Sequence, residues 1–212
     1  MNTITLTYLF DPLCGWCYGA SPALHQFAQQ EGVMLQLLPT GLFAGANGRT
    51  MDAAFADYAW SNDVRIEKMT GQRFTQHYRT QVLGQVGKRF DSALATLALT
   101  AVSLTTPERE LDALTQLQEA RYVHGLDITD MAVVKSRLRE MGLDEAATRV
   151  SSEDPELYVR NQERLQQAQN LLKIHRISGV PQVVLTDHQG SRLLSGQILF
   201  QSPVQVAALL SA

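Results

Sequence analysis

Two cysteines that are separated by two residues, directly after a β-prone segment, constrain this chain more than any other feature. Cys14 and Cys17 are its only cysteines. Residues 4–10 predict a strand, which ends near Pro12 because proline fixes φ and has no N–H to donate. From residue 18 onward apolar side chains recur at helical spacing. The chain therefore opens as a strand, a Cys-x-x-Cys segment and a helix.

The rest of the chain divides into a helical middle and a second region of strands. Residues 33–38 predict another strand near the start, and residues 182–186 and 192–195 predict two strands near the end, followed by a helix over 202–210. Between these regions the patterns predict helices over 53–60, 74–84, 92–104, 108–124, 129–141 (capped by Thr129) and 155–172.

This order predicts an α/β fold that carries a large all-helical insertion. Residues 1–50 and 175–212 would form one discontinuous α/β domain, and residues 51–174 would form the helical insertion domain. A chain of 212 residues is long enough for a compact domain with such an insertion.

Composition excludes several classes of protein. The chain is 45% hydrophobic and 18% charged, with a net charge of −3, so it predicts an ordinary globular protein. It has no basic run suited to nucleic acid and no apolar stretch of about 20 residues suited to a membrane. The N-terminus lacks the pattern of a secretory signal, which predicts a cytoplasmic protein. If a signal peptide was removed beforehand, the protein would be periplasmic.

The spacing of the two cysteines suits thiol–disulfide exchange. Exchange needs one accessible thiolate and a second thiol that is close enough to displace the mixed disulfide. A helix N-terminus favours negative charge, so Cys14 is the expected nucleophile and Cys17 the resolving thiol. Gly15 would allow close approach of a substrate backbone, and Trp16 would supply an apolar contact beside the sulfur. Such a dithiol needs no cofactor.

Other interpretations of these residues remain open. Two buried cysteines can fall three positions apart by chance. Zinc would need two further ligands, and the five histidines are scattered, so no metal site is expected. Four aromatic residues could form an apolar surface for unfolded clients, although the hydrophobic core is the favoured place for them. They are Phe43, Trp60, Phe74 and Tyr78.

Three features together resemble the thioredoxin superfamily, and more closely its DsbA branch. They are the Cys-Gly-Trp-Cys segment after a strand, Pro22 in the following helix, and Ser-Gly-Val-Pro at residues 178–181 before a strand. The resemblance implies a thioredoxin-like fold. It also implies a cis peptide bond before Pro181, with the backbone of Val180 free to pair with an incoming peptide.

Two longer segments resemble the cytosolic DsbA-like proteins related to FrnE, which belong with the protein disulfide isomerases. These are residues 10–19 and residues 118–130, the second of which is also similar to 2-hydroxychromene-2-carboxylate isomerases. The chain departs from many thioredoxin-like proteins at Tyr8, where they carry a buried acid, and from FrnE-like proteins at Gly15, where a proline is common. Asp11 is a possible proton relay, but a solvated turn residue is the favoured interpretation.

The sequence thus predicts an enzyme that reduces, forms or isomerises protein disulfides. A cytosolic location favours reduction or isomerisation, with protein or peptide thiols and disulfides as partners and glutathione as a possible reductant. One alternative is a glutathione-dependent isomerase or kappa-type glutathione transferase, although such relatives generally carry serine at the position of Cys14. Another is a redox-inactive chaperone or interaction module.

Overall fold

A four-stranded mixed sheet forms the base of the fold. The computed structural model describes residues 4–152 and 154–200. In the sheet the strands lie in the order β2-β1-β5-β6, where β1 and β2 are parallel and the other neighbours are antiparallel; β3 and β4 form a separate two-stranded ribbon. The strands are β1 (Ile4–Phe10), β2 (Val33–Pro39), β3 (Arg49–Thr50), β4 (Arg89–Phe90), β5 (Gln182–Asp187) and β6 (Gly190–Leu193).

Helices account for most of the chain between β2 and β5. The described residues contain the α-helices α1 (Gly15–Gly19), α2 (Ser21–Ala28), α3 (Ala53–Thr70), α4 (Gln76–Tyr78), α5 (Ala93–Thr105), α6 (Glu110–Tyr122), α7 (Met131–Glu140), α8 (Asp144–Val150) and α9 (Pro155–Ile174). A π-helical turn over Arg79–Leu83 extends α4. Within the described ranges, no helix combines the length and hydropathy needed to cross a membrane.

The order of elements agrees with the sequence prediction at both ends of the fold. The strand before the cysteines, β2, the helical middle and the terminal hairpin are all present. The return strand β6 begins two residues earlier than predicted. Asp187 pairs with Gly190, so the turn of the hairpin is only two residues long. The predicted helix over 202–210 lies outside the described residues. The division into two domains at residues 50 and 174 stays a prediction.

The helix after the cysteines differs from the prediction because it begins at Gly15 and is interrupted at Ala20. Pro22 cannot donate a hydrogen bond to the carbonyl of Tyr18 four residues earlier. The side chain of Gln72 donates to that carbonyl instead, at 3.3 Å. One predicted helix is therefore two, and the shorter one, α1, carries the cysteines.

The predicted cap of α7 was wrong by one residue. The carboxylate of Asp130 accepts hydrogen bonds from the backbone of Ala132 at 2.7 Å and Val133 at 3.3 Å. Thr129 instead donates its hydroxyl to Asp127 at 2.7 Å. The helix predicted over 53–60 continues to Thr70 as α3, and α8 was not predicted because its seven residues give a weak helical pattern.

A partly buried arginine joins the last long helix to the sheet and to two other helices. Arg164 donates to the hydroxyls of Thr100 at 3.0 Å and Ser103 at 3.1 Å, and to the carbonyl of Leu37 at 2.7 Å. It also forms an ion pair with Glu110. Burial raises the pKa of Glu110 to about 7 although Arg164 opposes this shift. The carboxylate therefore depends on Arg164 to remain charged inside the protein.

Removal of Arg164 should destabilise the fold far more than removal of an exposed arginine on the same helix. In Arg164→Met we expect the free energy of unfolding to fall by about 3–5 kcal/mol, because Glu110 loses its buried partner. Arg160 pairs with Glu163 at 2.9 Å where both side chains are more than half exposed, so Arg160→Met should cost less than about 1 kcal/mol. Urea unfolding of both variants measures this, and equal losses would contradict it.

Candidate active site

The two cysteines lie where β1 passes into α1. Cys14 is the N-cap of α1, with extended backbone angles (φ −86°, ψ 116°). Its backbone N–H donates to the carbonyl of Asp11 at 3.0 Å, which closes the turn after the strand. Cys17 follows in the first turn of the helix. The end of the strand and the start of the helix therefore bring both sulfur atoms to one place.

The two thiols are unequally accessible. Both are free, and Cys14 is 8% exposed whereas Cys17 is fully buried. Burial raises the pKa of Cys17 well above its usual value, and its contact with Cys14 raises it further. Cys17 is therefore held as a neutral thiol behind Cys14, which is the thiol that an incoming molecule meets first.

A loop from the other end of the chain covers Cys14. The peptide bond between Val180 and Pro181 is cis. The thiol of Cys14 donates to the carbonyl of Val180 at 3.8 Å, across 166 positions of sequence. Val180 is half-buried and Pro181 is buried directly before β5. The candidate residues from the two ends of the sequence thus lie together.

Asp11 is not the solvated turn residue that the sequence favoured. Its carboxylate is fully buried and accepts hydrogen bonds from the backbone of Leu13 at 2.9 Å, the backbone of Phe43 at 3.0 Å and the hydroxyl of Ser92 at 2.7 Å. Burial raises its pKa, and the three donors oppose that shift. The partners that bury Asp11 come from distant segments, which the local Asp-Pro pattern does not show.

Tyr8 occupies the space beneath the second cysteine. Its hydroxyl donates to the carbonyl of Cys17 at 3.2 Å. Burial raises the pKa of Tyr8 well above its usual value, and the nearby Cys17 and Cys14 add to this shift. Tyr8 is therefore a neutral hydrogen-bond donor at the position where an acid would be a proton acceptor.

A cavity of about 150 Å³ lies beside Cys14, between α1 and the helical region. Gly15 and Trp16 form part of its wall, and the Trp16 ring meets Phe200 edge-on at 5.6 Å between centroids. Asp63 from α3 also lines this cavity, beside the aromatic rings of Tyr78 and other residues. Sequence reasoning missed Asp63, because nothing in its neighbouring residues indicates that it lies next to the cysteines.

The four aromatic residues that could have formed a client surface do not group together on the outside. Phe74 and Tyr78 are buried in the hydrophobic core, as the sequence favoured, while Phe43 and Trp60 are partly buried against it. Tyr122, which sequence reasoning did not select, donates its hydroxyl to the carbonyl of Leu13 at 2.8 Å. This bond ties α6 to the turn before the cysteines.

Metal binding has no support from the described part of the chain. Within residues 4–152 and 154–200, no three side chains of histidine, cysteine, aspartate or glutamate are grouped so that they could hold a metal ion. The chemistry that the arrangement offers is that of two adjacent thiols, one reachable and one buried.

Comparison with known proteins gives a family model and several similar structures. The model of the DSBA-like thioredoxin domain matches residues 5–202. A comparison with curated protein sequences finds no significant match.

The similar structures include a well-matched bacterial reductase. The cytosolic disulfide reductase DsbM from Pseudomonas aeruginosa superimposes with a TM-score of 0.85 and 28% identity, over 98% of this chain and 97% of that chain. A second DsbM structure, with GSH, gives a TM-score of 0.84 at the same identity and coverage. A chain from Nitrosomonas europaea, provisionally named a protein disulfide isomerase, gives 0.77 at 21% identity, over 99% of this chain and 100% of that chain. The predicted thioredoxin-like fold class is confirmed.

Asp11 should stabilise the site through its three hydrogen bonds. In Asp11→Asn an amide N–H₂ must face at least one backbone donor, so we expect a loss of about 2–4 kcal/mol in the free energy of unfolding. Ser92→Ala removes a single donor and should cost about 1 kcal/mol. Urea unfolding checks both values. If Asp11→Asn were as stable as the parent protein, the three hydrogen bonds of Asp11 would not contribute to stability as we expect.

Alkylation should distinguish the two thiols. In the reduced, folded protein at pH 8, iodoacetamide should modify Cys14 at least about tenfold faster than Cys17, because only a reachable thiolate reacts. Peptide mass spectrometry after timed quenching measures both rates. In guanidinium chloride the two rates should become similar, which serves as the control. Equal rates in the folded protein would show that Cys17 is not sequestered.

Proposed function

The chain belongs to the family of DSBA-like thioredoxin domains, and from that premise we propose that it is a cytosolic enzyme that reduces disulfides of proteins and peptides. One observation carries the proposal. Two free thiols share the turn between β1 and α1, and one of them is reachable beneath Val180 while the other is buried behind it. The similarity to a cytosolic disulfide reductase at 28% identity supports the same direction of reaction.

The reaction begins at Cys14. Its thiolate attacks one sulfur of a substrate disulfide, the substrate S–S bond breaks, and a mixed disulfide forms between Cys14 and that sulfur. The other substrate sulfur leaves as a thiolate and takes up a proton. In the resting dithiol the carbonyl of Val180, 3.8 Å from the Cys14 sulfur, accepts a hydrogen bond from the thiol, and the proton that leaves when the thiolate forms passes to solvent. The backbone around Val180 is where an extended peptide would pair.

Cys17 completes the exchange. It attacks the Cys14 sulfur, forms the Cys14–Cys17 disulfide and releases the second substrate thiol. Since burial keeps Cys17 protonated, its proton passes to the departing thiolate. The substrate gains two electrons and two protons, and the protein loses the same number. Two molecules of a thiol reductant then restore the dithiol and become a disulfide.

Glutathione is the reductant that we propose. The DsbM structure with GSH is of a protein similar to this chain over 98% of its length, which supports a glutathione-linked cycle. Isomerisation is the second activity that the same dithiol would support, since a mixed disulfide can be attacked by another substrate thiol before Cys17 resolves it.

Two paired variants test the proposal. We expect Cys14→Ser to abolish reduction of insulin disulfides by glutathione, because the nucleophile is lost. Cys17→Ser should instead accumulate a mixed disulfide at Cys14, since the resolving thiol is missing; intact mass spectrometry detects the added substrate. Each variant is the control for the other, as both replace one sulfur by oxygen.

The alternatives predict different outcomes. Insulin reduction that survives in Cys14→Ser would end the proposal. Turnover of a glutathione conjugate or an isomerase substrate without disulfide reduction would favour the glutathione-dependent isomerase or transferase. Protection of an unfolding client by the Cys14→Ala, Cys17→Ala double variant, with no thiol turnover in the parent, would favour the chaperone.

A further inference from the structure

The cavity beside Cys14 contains one buried carboxylate that the exchange reaction does not use. Asp63 in α3 is 5% exposed and lines the cavity together with Cys14 and Gly15. Its Oδ2 atom accepts a hydrogen bond from the hydroxyl of Tyr78 at 3.1 Å. Asp63 thus lies in the cavity wall next to Gly15, the residue that follows the nucleophile.

The second oxygen of Asp63 is directed to the active-site turn. A Cβ atom at Gly15 would overlap Asp63 Oδ1, which shows that this oxygen lies against the Gly15 backbone. Oδ2 accepts from Tyr78, whereas Oδ1 receives no hydrogen bond from the described residues and is not closed off from solvent. A ligand in the cavity that carries a donor can therefore reach this oxygen and form a charge-assisted hydrogen bond with it.

The groups that face Asp63 from other elements leave it as an acceptor. They are Tyr78 of α4, Arg121 and Tyr122 of α6, and Cys14 at the start of α1. Arg121 is itself held by aromatic rings, with its guanidinium carbon 5.5 Å from the centroid of Tyr78. Burial raises the pKa of Asp63 to about 7, although Tyr78 and Arg121 oppose this shift.

We propose that this cavity binds a protonated amine beside the reacting sulfur, so that among small disulfides the enzyme prefers those that carry an ammonium group near that sulfur. This inference rests on the proposed disulfide reduction and names its substrate class. Asp63 Oδ1 accepts a hydrogen bond from the ammonium group, and the apolar walls contact the methylene groups between nitrogen and sulfur.

The size of the cavity agrees with such a ligand. A cavity of about 150 Å³ is the size that holds a benzene molecule in an engineered protein core. An aminoethyl group attached to sulfur fits within this volume, whereas a whole peptide does not. After Cys14 attacks, the half that remains bonded to its sulfur keeps its amine in the cavity, the other half leaves as a thiol, and Cys17 then releases the first half.

Arginines supply the opposing hypothesis: Arg121 already faces the Asp63 carboxylate, and two more lie over rings of the cavity wall. The guanidinium carbon of Arg49 lies 4.0 Å from the ring centroid of Phe55, and that of Arg65 lies 5.6 Å from the ring of Trp16. Both rings belong to the cavity wall. If these charges governed selection, anionic disulfides would be preferred instead, so the sign of the preference identifies which group acts.

Three disulfides of matched size test the proposal. Cystamine is cationic, bis(2-hydroxyethyl) disulfide is neutral and 3,3′-dithiodipropionate is anionic. We would measure the second-order rate constant for oxidation of the reduced protein by each one, in the parent and in Asp63→Asn. Because the comparison is between ratios in two proteins, the different intrinsic reactivities of the disulfides cancel.

We expect the rate constant for cystamine, relative to that for the neutral disulfide, to fall by about ten- to hundredfold in Asp63→Asn. This change corresponds to the loss of one charged hydrogen bond. Asp57→Asn is the matched control. It lies on the same helix with its side chain 78% exposed, outside the cavity wall, and should leave the ratio unchanged. An unchanged ratio in Asp63→Asn, or a preference of the parent for the anion, would overturn the proposal.

The parent protein gives a second test that needs no variant. As pH rises from 6 to 8, Asp63 loses its proton while the amines of cystamine stay charged. The rate constant for cystamine divided by that for the neutral disulfide should therefore rise. Ionisation of Cys14 affects both rate constants equally and cancels from this ratio. A ratio that is flat with pH would contradict the role of Asp63. If the protein reduces all three disulfides without preference, only this inference fails; if it reduces none of them and no insulin, the proposed function fails with it.

Discussion

The buried carboxylate of Asp11 holds together the three chain segments that shape the redox site. It accepts hydrogen bonds from the turn at Leu13, from the loop at Phe43 and from Ser92 at the start of α5. A buried carboxylate without donors would destabilise the fold. The burial of Asp11 therefore requires these three segments to stay in contact. The turn that presents Cys14 therefore depends on the helical region as well as on the strand before it.

Local sequence patterns predict the parts of this molecule that neighbouring residues determine. Strand β1, the position of the cysteines and the strand after Pro181 follow from spacing and from proline. The burial of Asp11 does not, since its donors Phe43 and Ser92 are 32 and 81 positions away. The place of Asp63 depends on the packing of α3 against α1, which no short pattern records. Long-range packing thus separates the predictable part of the site from the rest.

The residue at position 8, in strand β1, helps to determine the environment of the Cys17 thiol. Tyr8 lies where many related proteins have an acid, and its hydroxyl donates to the carbonyl of Cys17. A neutral phenol in this place accepts no proton, while burial keeps the thiol of Cys17 protonated. Tyr8 is therefore not the proton acceptor of Cys17, and in the proposed reaction the departing thiolate of the substrate takes up that proton.

Gly15 and Asp63 occupy adjoining space, so a side chain added at position 15 would displace the carboxylate. A side chain at position 15 would overlap the carboxylate and approach Ile66 Cδ1 at 3.2 Å. A proline at position 15 would move the Asp63 carboxylate out of its present place. Among homologous sequences the two positions should covary, with bulk at position 15 matched by a small residue on the facing helix. Covariation of positions 15 and 63 would indicate that one group of these proteins has a rigid active-site turn, whereas another has a carboxylate next to a flexible one.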